Sequence, residues 1–249
     1  MEGAMYEPRA ERISTARSPV LRKIKQQAYL GVKRVRYLLK PEPAPRNHML
    51  ATPYFPQWES PEMVAGIVQG KLCAQDDPNW RESGAVTQDE YAFWSFACCG
   101  MACLKMALAR RTGQVHQTVA LAHQAEGYGG YVSDGTAIDG LYYKPFCQYL
   151  KERFGLVARS VPALHPREII LAIAQGRDVL LSVTPKIRFP NERPATQGGH
   201  LVLAVGYDLD KGLLYIHNPS GYRGESQVAA PVSLKNLKHF FDYKGIVIG

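Results

Sequence analysis

Three residues of this chain combine a reactive side chain with a position that would expose it: Cys99, His200 and Asn218. Cys99 stands in Phe96-Ala97-Cys98-Cys99-Gly100-Met101-Ala102-Cys103-Leu104, where the spacing predicts a helix from Cys99 to Arg110 stopped by Gly113. A thiol in the first turn of a helix meets unpaired backbone N–H groups and the positive end of the dipole, and both favour a thiolate. Gly100 adds no bulk beside the thiol, so a substrate carbonyl can approach the amides that must hold its developing charge. Cys103, one turn further, falls on the apolar face and is expected in the core. His200 follows the pair Gly198-Gly199 and opens an apolar run to Tyr207, which puts its ring at the rim of a sheet. Asn218 ends the next apolar run, ahead of Pro219. A turn at Asp208–Gly212 contains the midpoint of 200 and 218, so the two residues are expected as direct or diagonal cross-strand neighbours. An asparagine oxygen there would fix one imidazole tautomer and leave the other ring nitrogen for a thiol. The chemistry open to such a set is attack of an activated thiol on a substrate carbonyl.

The elements that must position these residues follow from pattern and punctuation. Residues 51–57 read as short and extended, 61–71 as helical, and 72–90 as polar and turn-rich. Five glycines make 127–140 a loop. Helices at Leu141–Phe154 and Pro166–Gln175 are each followed by a short apolar strand, Leu156–Val161 and Asp178–Val183. After a loop over 187–199 come strands at His200–Tyr207, Leu213–Asn218 and Gly245–Ile248. Helices come first and strands late, which points to an α+β fold rather than a doubly wound sheet.

The other candidate sites are weaker. His217 should point to the sheet face opposite its neighbours. His116 and His123 lie in and beside a helical stretch without carboxylates at ligand spacing, and His48, His165 and His239 are isolated. The cysteines Cys73, Cys98, Cys99, Cys103 and Cys147 are odd in number and lack zinc-site spacing, so neither a disulfide framework nor a structural metal is expected. Glycine pairs without a Lys-Ser/Thr ending argue against a nucleotide cofactor. Reduced thiols, no signal peptide and no apolar run long enough to span a bilayer suggest a cytoplasmic protein.

Charge divides the 249 residues unequally. Residues 1–48 carry 11 Lys+Arg against 4 Asp+Glu and the other 201 carry 19 against 18, so nearly all of the net +8 sits in an N-terminal arm. Nucleic-acid binding by the body is therefore not expected. Within the arm, Ser18–Lys40 reads as a helix, with Ser18 as N-cap and Leu21, Ile24, Ala28, Gly31, Val35 and Leu38 forming one apolar face. Glu2, Glu7 and Glu11 argue against an organelle transit sequence. Pro41, Pro43 and Pro45 then form a stiff linker, which divides the chain into an arm at 1–48 and a single domain at 49–249. A basic amphipathic helix can lie on an anionic membrane or dock on a protein partner. It can equally pack on its own domain with its basic side in water.

Four segments carry a family resemblance: Pro53-Tyr54-Phe55-Pro56-Gln57, Cys99-Gly100-Met101-Ala102-Cys103-Leu104-Lys105-Met106, Gly199-His200-Leu201-Val202 with Gly206-Tyr207-Asp208, and Asn218-Pro219. In this order they resemble papain-fold cysteine peptidases over roughly residues 50 to 249, most of all the double-glycine peptidase branch that trims bacteriocin leaders and its soluble relatives. The resemblance implies a papain-like fold, a peptide or amide substrate and no cofactor. It makes Cys99 the nucleophile, chosen over Cys98 by the glycine that follows, His200 the general base, and Asn218 the orienting residue. Gln57 is implied as the oxyanion-hole glutamine, with Gln88 as the alternative. The leader-trimming enzymes hold this glutamine about six residues before the cysteine, where Phe93 stands here, so residues 66–94 would be an insertion looping out beside the cleft. Aromatic residues of the 128–143 loop, Tyr128, Tyr131, Tyr142 and Tyr143, would narrow that cleft. The same triad serves peptidases, transpeptidases and amide-forming enzymes, and a non-catalytic peptide-binding relative would share the fold.

Overall fold

The computed structural model describes residues 19–40, 43–189, 192–194 and 197–249. Ser18, Pro41 and the acidic residues Glu2, Glu7 and Glu11 lie outside them. In chain order the elements are α1 (Pro19–Leu39), β1 (Asn47–Met49), α2 (Val64–Val68), α3 (Gln88–Ser95), α4 (Cys99–Thr112), α5 (Thr118–Gly127), α6 (Tyr143–Phe154) and β2 (Ala158–Val161). They continue with α7 (Pro166–Ala174), β3 (Asp178–Val183), β4 (His200–Asp208), β5 (Leu213–His217), β6 (Ala230–Ser233), α8 (Leu237–Phe240) and β7 (Phe241–Ile248). The helices-then-strands order expected of an α+β fold is present, and the strands form one antiparallel sheet in the order β2-β7-β3-β4-β5-β6, with β1 paired to β4.

Both faces of the sheet are covered, which is why its central strands read as unbroken apolar runs. Leu180, Leu201, Leu203, Val205, Ile246 and Ile248 point to one face. Val179, Leu181, Val202, Ala204 and Val247 alternate with them and point to the other. The first face packs on α4 through Met101, Leu104 and Leu108, the second on α7 through Ile169, Ile170 and Ile173. α4 runs two residues beyond its expected end and stops at Gly113, whose φ of 73° only glycine adopts without cost. Its last turn is fixed to β3: Arg110 and Arg111 both bond the Asp178 carboxylate, at 2.9–3.0 and 2.6 Å. Two cations there also complement the helix dipole.

Residues 66–94 do not loop out. They build α2, two 3-10 turns and α3, and they put Ile67, Ala74, Trp80, Tyr91 and Trp94 into the core that contains α4. Asp77 organises this segment from a fully buried position, accepting bonds from Ser60 Oγ at 2.5 Å, Tyr91 Oη at 2.5 Å and the Asn79 N–H at 3.0 Å. A buried carboxylate is tolerated when its lone pairs are filled in this way.

β1 spans the boundary expected at residue 48, pairing Asn47, His48 and Met49 with Asp208, Tyr207 and Gly206. α1 rests on the body, but not as its periodicity suggests. It docks through Gln26 and Leu30, both buried, with Gln26 Nε2 donating to the carbonyls of Pro162 and Asp242 at 2.8 Å. Lys33 Nζ bonds the Ala163 carbonyl and Glu168 at 2.6 and 2.7 Å. The apolar stripe faces away from the body, with Leu21, Ile24, Val35 and Leu38 more than half exposed.

Candidate functional site

Three strand ends and one helix start meet at a single rim of the sheet. β4 begins at His200, whose backbone is the last pair of the β3 ladder, opposite Val183. Gly199 lets the chain enter that strand with a φ of 90°, a conformation closed to other residues at this cost. β5 ends at His217, and Asn218 follows it, completely buried. After β3, Thr184 caps a 3-10 turn at Pro185–Arg188 that brings Arg188 to the same rim. α4 starts there with Cys99, and Cys98 supplies no side-chain cap, so the first-turn amides remain available to the Cys99 sulfur.

Cys99 and His200 line one cleft of about 650 Å³. One wall is Phe93, Phe96 and Ala97 from the approach to α4; another is Thr136, Ile138, Leu141 and Tyr143; the third includes Gly198, Gly199, Ser182, Asp242 and Lys244. Tyr143 is thus the aromatic residue of the 128–143 loop that reaches the cleft. Tyr131 is buried and holds the Ala97 carbonyl at 3.1 Å, and Tyr128 and Tyr142 do not line the cleft. Gly100 is needed for packing: a Cβ there would lie 2.7 Å from Leu141 and 3.1 Å from Leu201.

His200 Nε2 lies 2.8 Å from Asn218 Oδ1. Asn218 Oδ1 also accepts the Ser220 N–H at 3.2 Å, so the amide is oriented oxygen-first and Nε2 carries the imidazole proton. Nδ1 is then the unprotonated nitrogen, the one able to take a proton from a thiol. Sequence reasoning did not find two further members. Ser220 Oγ lies 3.0 Å from the same Nε2, and Arg188 holds Ser220 by its Oγ at 2.6 Å and its carbonyl at 2.5 Å. The hairpin register explains Ser220. Leu203 faces His217 and Ala204 faces Ile216, a register that continued would set His200 opposite Ser220 and make Asn218 the diagonal neighbour.

Burial dominates the titration of both central groups. It pushes the Cys99 thiol above its ordinary value, against the amides of Leu201, Gly100 and Cys99 itself and the charge of Arg188, which pull it down. The helix start acts as the sequence argument expects, but desolvation outweighs it. Burial also lowers His200 to about 4, opposed by the bond to Asn218 and aided by the Arg188 charge. At neutral pH the resting pair is therefore a thiol and a neutral imidazole. Cys98 and Cys103 are fully buried, and desolvation drives both thiols much higher. Substituting Asn218→Asp places a carboxylate on Nε2 and is expected to raise the His200 titration from about 4 by about one unit or more, read from the imidazole NMR signals.

The remaining expected residues are spent elsewhere. Gln57 is buried beside the turn that leads into α4, its Nε2 donating to the Ser95 and Phe96 carbonyls at 2.6 and 2.9 Å; it does not line the cleft. Its Oε1 has no hydrogen-bond partner among the described residues. Gln88 bonds the Gln75 carbonyl at 2.9 Å on the exposed surface and is also absent from the cleft. His217 uses both ring nitrogens on the backbone of Thr52 and Ala229.

Residues 53–244 match the model of the Peptidase_C39 like family. The chain belongs to that family. Membership makes it a cysteine peptidase-like protein of the hydrolase class, and its helices and antiparallel sheet are the α+β arrangement of papain-like enzymes. Among solved structures it is similar to a C39-like peptidase candidate from Bacillus anthracis at 15% identity and a TM-score of 0.43, over 61% of this chain and 88% of that one. No curated protein gave a match to the sequence.

Proposed function

We propose that this C39-like protein is an acyl-transferring cysteine hydrolase acting on a peptide or amide bond, with Cys99 as nucleophile, His200 as general base and Asn218 as the residue that orients it. The observation that carries this reading is the 2.8 Å bond between His200 Nε2 and Asn218 Oδ1 on a ring that shares its cleft with Cys99. It fixes the tautomer that leaves Nδ1 as a base. Because the resting pair is neutral, Nδ1 takes the thiol proton as sulfur attacks the carbonyl, and the imidazolium then protonates the departing amine. Water, activated by the same nitrogen, cleaves the thioester; an amine in its place gives transfer. The N–H of Cys99 at the start of α4 is one donor to the developing oxyanion. Gln57 is the second in this reading, exchanging its bond to Phe96 for the substrate oxygen, while its bond to Ser95 keeps the turn before the nucleophile in place.

Alkylation of Cys99 by iodoacetamide, followed by peptide mass spectrometry across pH, tests the pairing. With His200 in place, the rate is expected to hold from neutral pH down and then fall as the imidazole protonates near pH 4. In His200→Ala the base is gone and the thiol is held above its ordinary value, so the rate drops about tenfold for each pH unit below neutrality. At pH 6 the two proteins should differ by about a hundredfold or more. Equal rates in the two proteins would show that Cys99 and His200 do not act together.

A further inference from the structure

We propose that α1 is an in-plane anchor that seats this protein on an anionic lipid surface. The helix is docked with its polar residues inward. Gln26, Leu30, Lys33 and Tyr37, spaced by 4, 3 and 4, form the stripe against the body, where Tyr37 stacks on His165 with ring centroids 5.4 Å apart. At 3.6 residues per turn the opposite stripe holds the apolar side chains, and Leu21, Ile24, Val32, Val35, Leu38 and Leu39 are 51–76% exposed. So large an apolar face, directed away from its own domain, marks a contact surface.

Its borders choose the occupant. The helix and the residue after it contain seven Lys and Arg and no Asp or Glu. Lys25 and Arg36 border the apolar stripe on one side and Arg34 on the other, all exposed. A second copy of this chain is disfavoured, because joining two such stripes brings cationic borders together with no carboxylate on either helix to pair them. An anionic bilayer satisfies the whole surface at once, accepting the apolar face below the headgroups and the cations among the phosphates. The helix lies along the membrane and does not cross it: no single described helix is long and apolar enough to span one. Asp242 and Lys244 line both the groove beneath α1 and the cleft that holds Cys99, so a seated chain carries that cleft next to the anchoring helix. That consequence rests on the proposed function; the anchoring itself does not.

The test is co-sedimentation of the full chain with phosphatidylcholine vesicles, with and without phosphatidylglycerol. Binding is expected on the anionic vesicles only, and it should weaken as salt is raised. Ile24→Glu/Val35→Glu changes two exposed side chains, so the thermal midpoint should hold while partitioning falls on the order of tenfold or more. Lys25→Gln/Arg34→Gln should lower it by about fivefold for each charge removed. No sedimentation with anionic vesicles, or sedimentation unaltered by Ile24→Glu/Val35→Glu, overturns the proposal. Light scattering that finds a dimer dissolved by the same pair, or capture of the stripe by an acidic protein with no lipid binding, overturns it too. Alkylation of Cys99 is unchanged in these variants, which separates failure of the anchor from failure of the catalytic reading.

Discussion

His200→Ala is expected to lower kcat/KM on fluorogenic peptide amides by about a thousandfold or more. The size of the effect follows from the titration of the pair. Burial holds the Cys99 thiol above its ordinary value, so without a base only a small fraction of it is nucleophilic near neutrality. The leaving amine also loses its proton donor. Cys99→Ala should be as damaging, and the double variant no worse than either single one, because residues that act as a unit lose their shared contribution once. The substitution should leave the fold standing. It deprives Asn218 Oδ1 of one donor, but Ser220 N–H still fills that oxygen, so the cost is about 1–2 kcal/mol. A pool of peptide amides makes the measurement independent of the natural substrate. Retention of activity within tenfold of the parent, with the variant folded, would falsify the assignment of His200 as the base.

The parts of this site legible in the sequence were those with local signatures. A glycine pair before an apolar run places His200 at a strand start, and a turn that contains the midpoint of 200 and 218 brings Asn218 near it. Ser220 and Arg188 escaped for different reasons. The sequence argument centred the pairing on residue 209, whereas the strand register beside the site centres on 210, which sets Ser220 rather than Asn218 opposite His200. Arg188 comes from a short 3-10 turn, and no periodicity says which way such a turn projects a side chain. Residues 66–94 looked like an insertion because Gln57 stands far ahead of Cys99, whereas the leader-trimming enzymes hold their glutamine about six residues before the cysteine. Their aromatic residues enter the core by tertiary packing that period counting does not detect. α1 shows the limit of amphipathicity most directly. Periodicity identified its apolar face, but which face meets the domain depends on the partner groups of Gln26 and Lys33, more than a hundred residues away in the chain.

Lys105→Met is expected to cost about 3–5 kcal/mol of folding stability, equivalent to roughly 10–15 °C in Tm for a chain of this size. Lys105 lies on α4 with its side chain 4% exposed, and its Nζ is 2.8 Å from Glu59 Oε2, whose side chain is 5% exposed. Thr118 donates to the other carboxylate oxygen at 2.8 Å, and the ammonium sits 5.1 Å from the centre of the Phe55 ring. Methionine matches the length of lysine, so the substitution removes the charge and leaves the volume nearly filled. The loss then comes from Glu59, whose buried carboxyl group loses its cation and retains, among the described residues, only the Thr118 hydroxyl to hold it. For that reason Glu59→Gln added to Lys105→Met should recover much of the stability, although it restores no ion pair. Urea denaturation of the parent, both single variants and the double variant measures the coupling as a thermodynamic cycle. The pair also bears on the cleft. Glu59 stands two residues after Gln57, so Lys105 ties the segment carrying that glutamine to the helix that begins with Cys99. Lys105→Met at a temperature where it stays folded should therefore slow acylation of Cys99, and the double variant should recover stability more fully than rate, because the tether is not rebuilt. A Lys105→Met protein within about 1 kcal/mol of the parent would show that Glu59 reaches water, and that the segment ahead of the nucleophile is held by its apolar contacts alone.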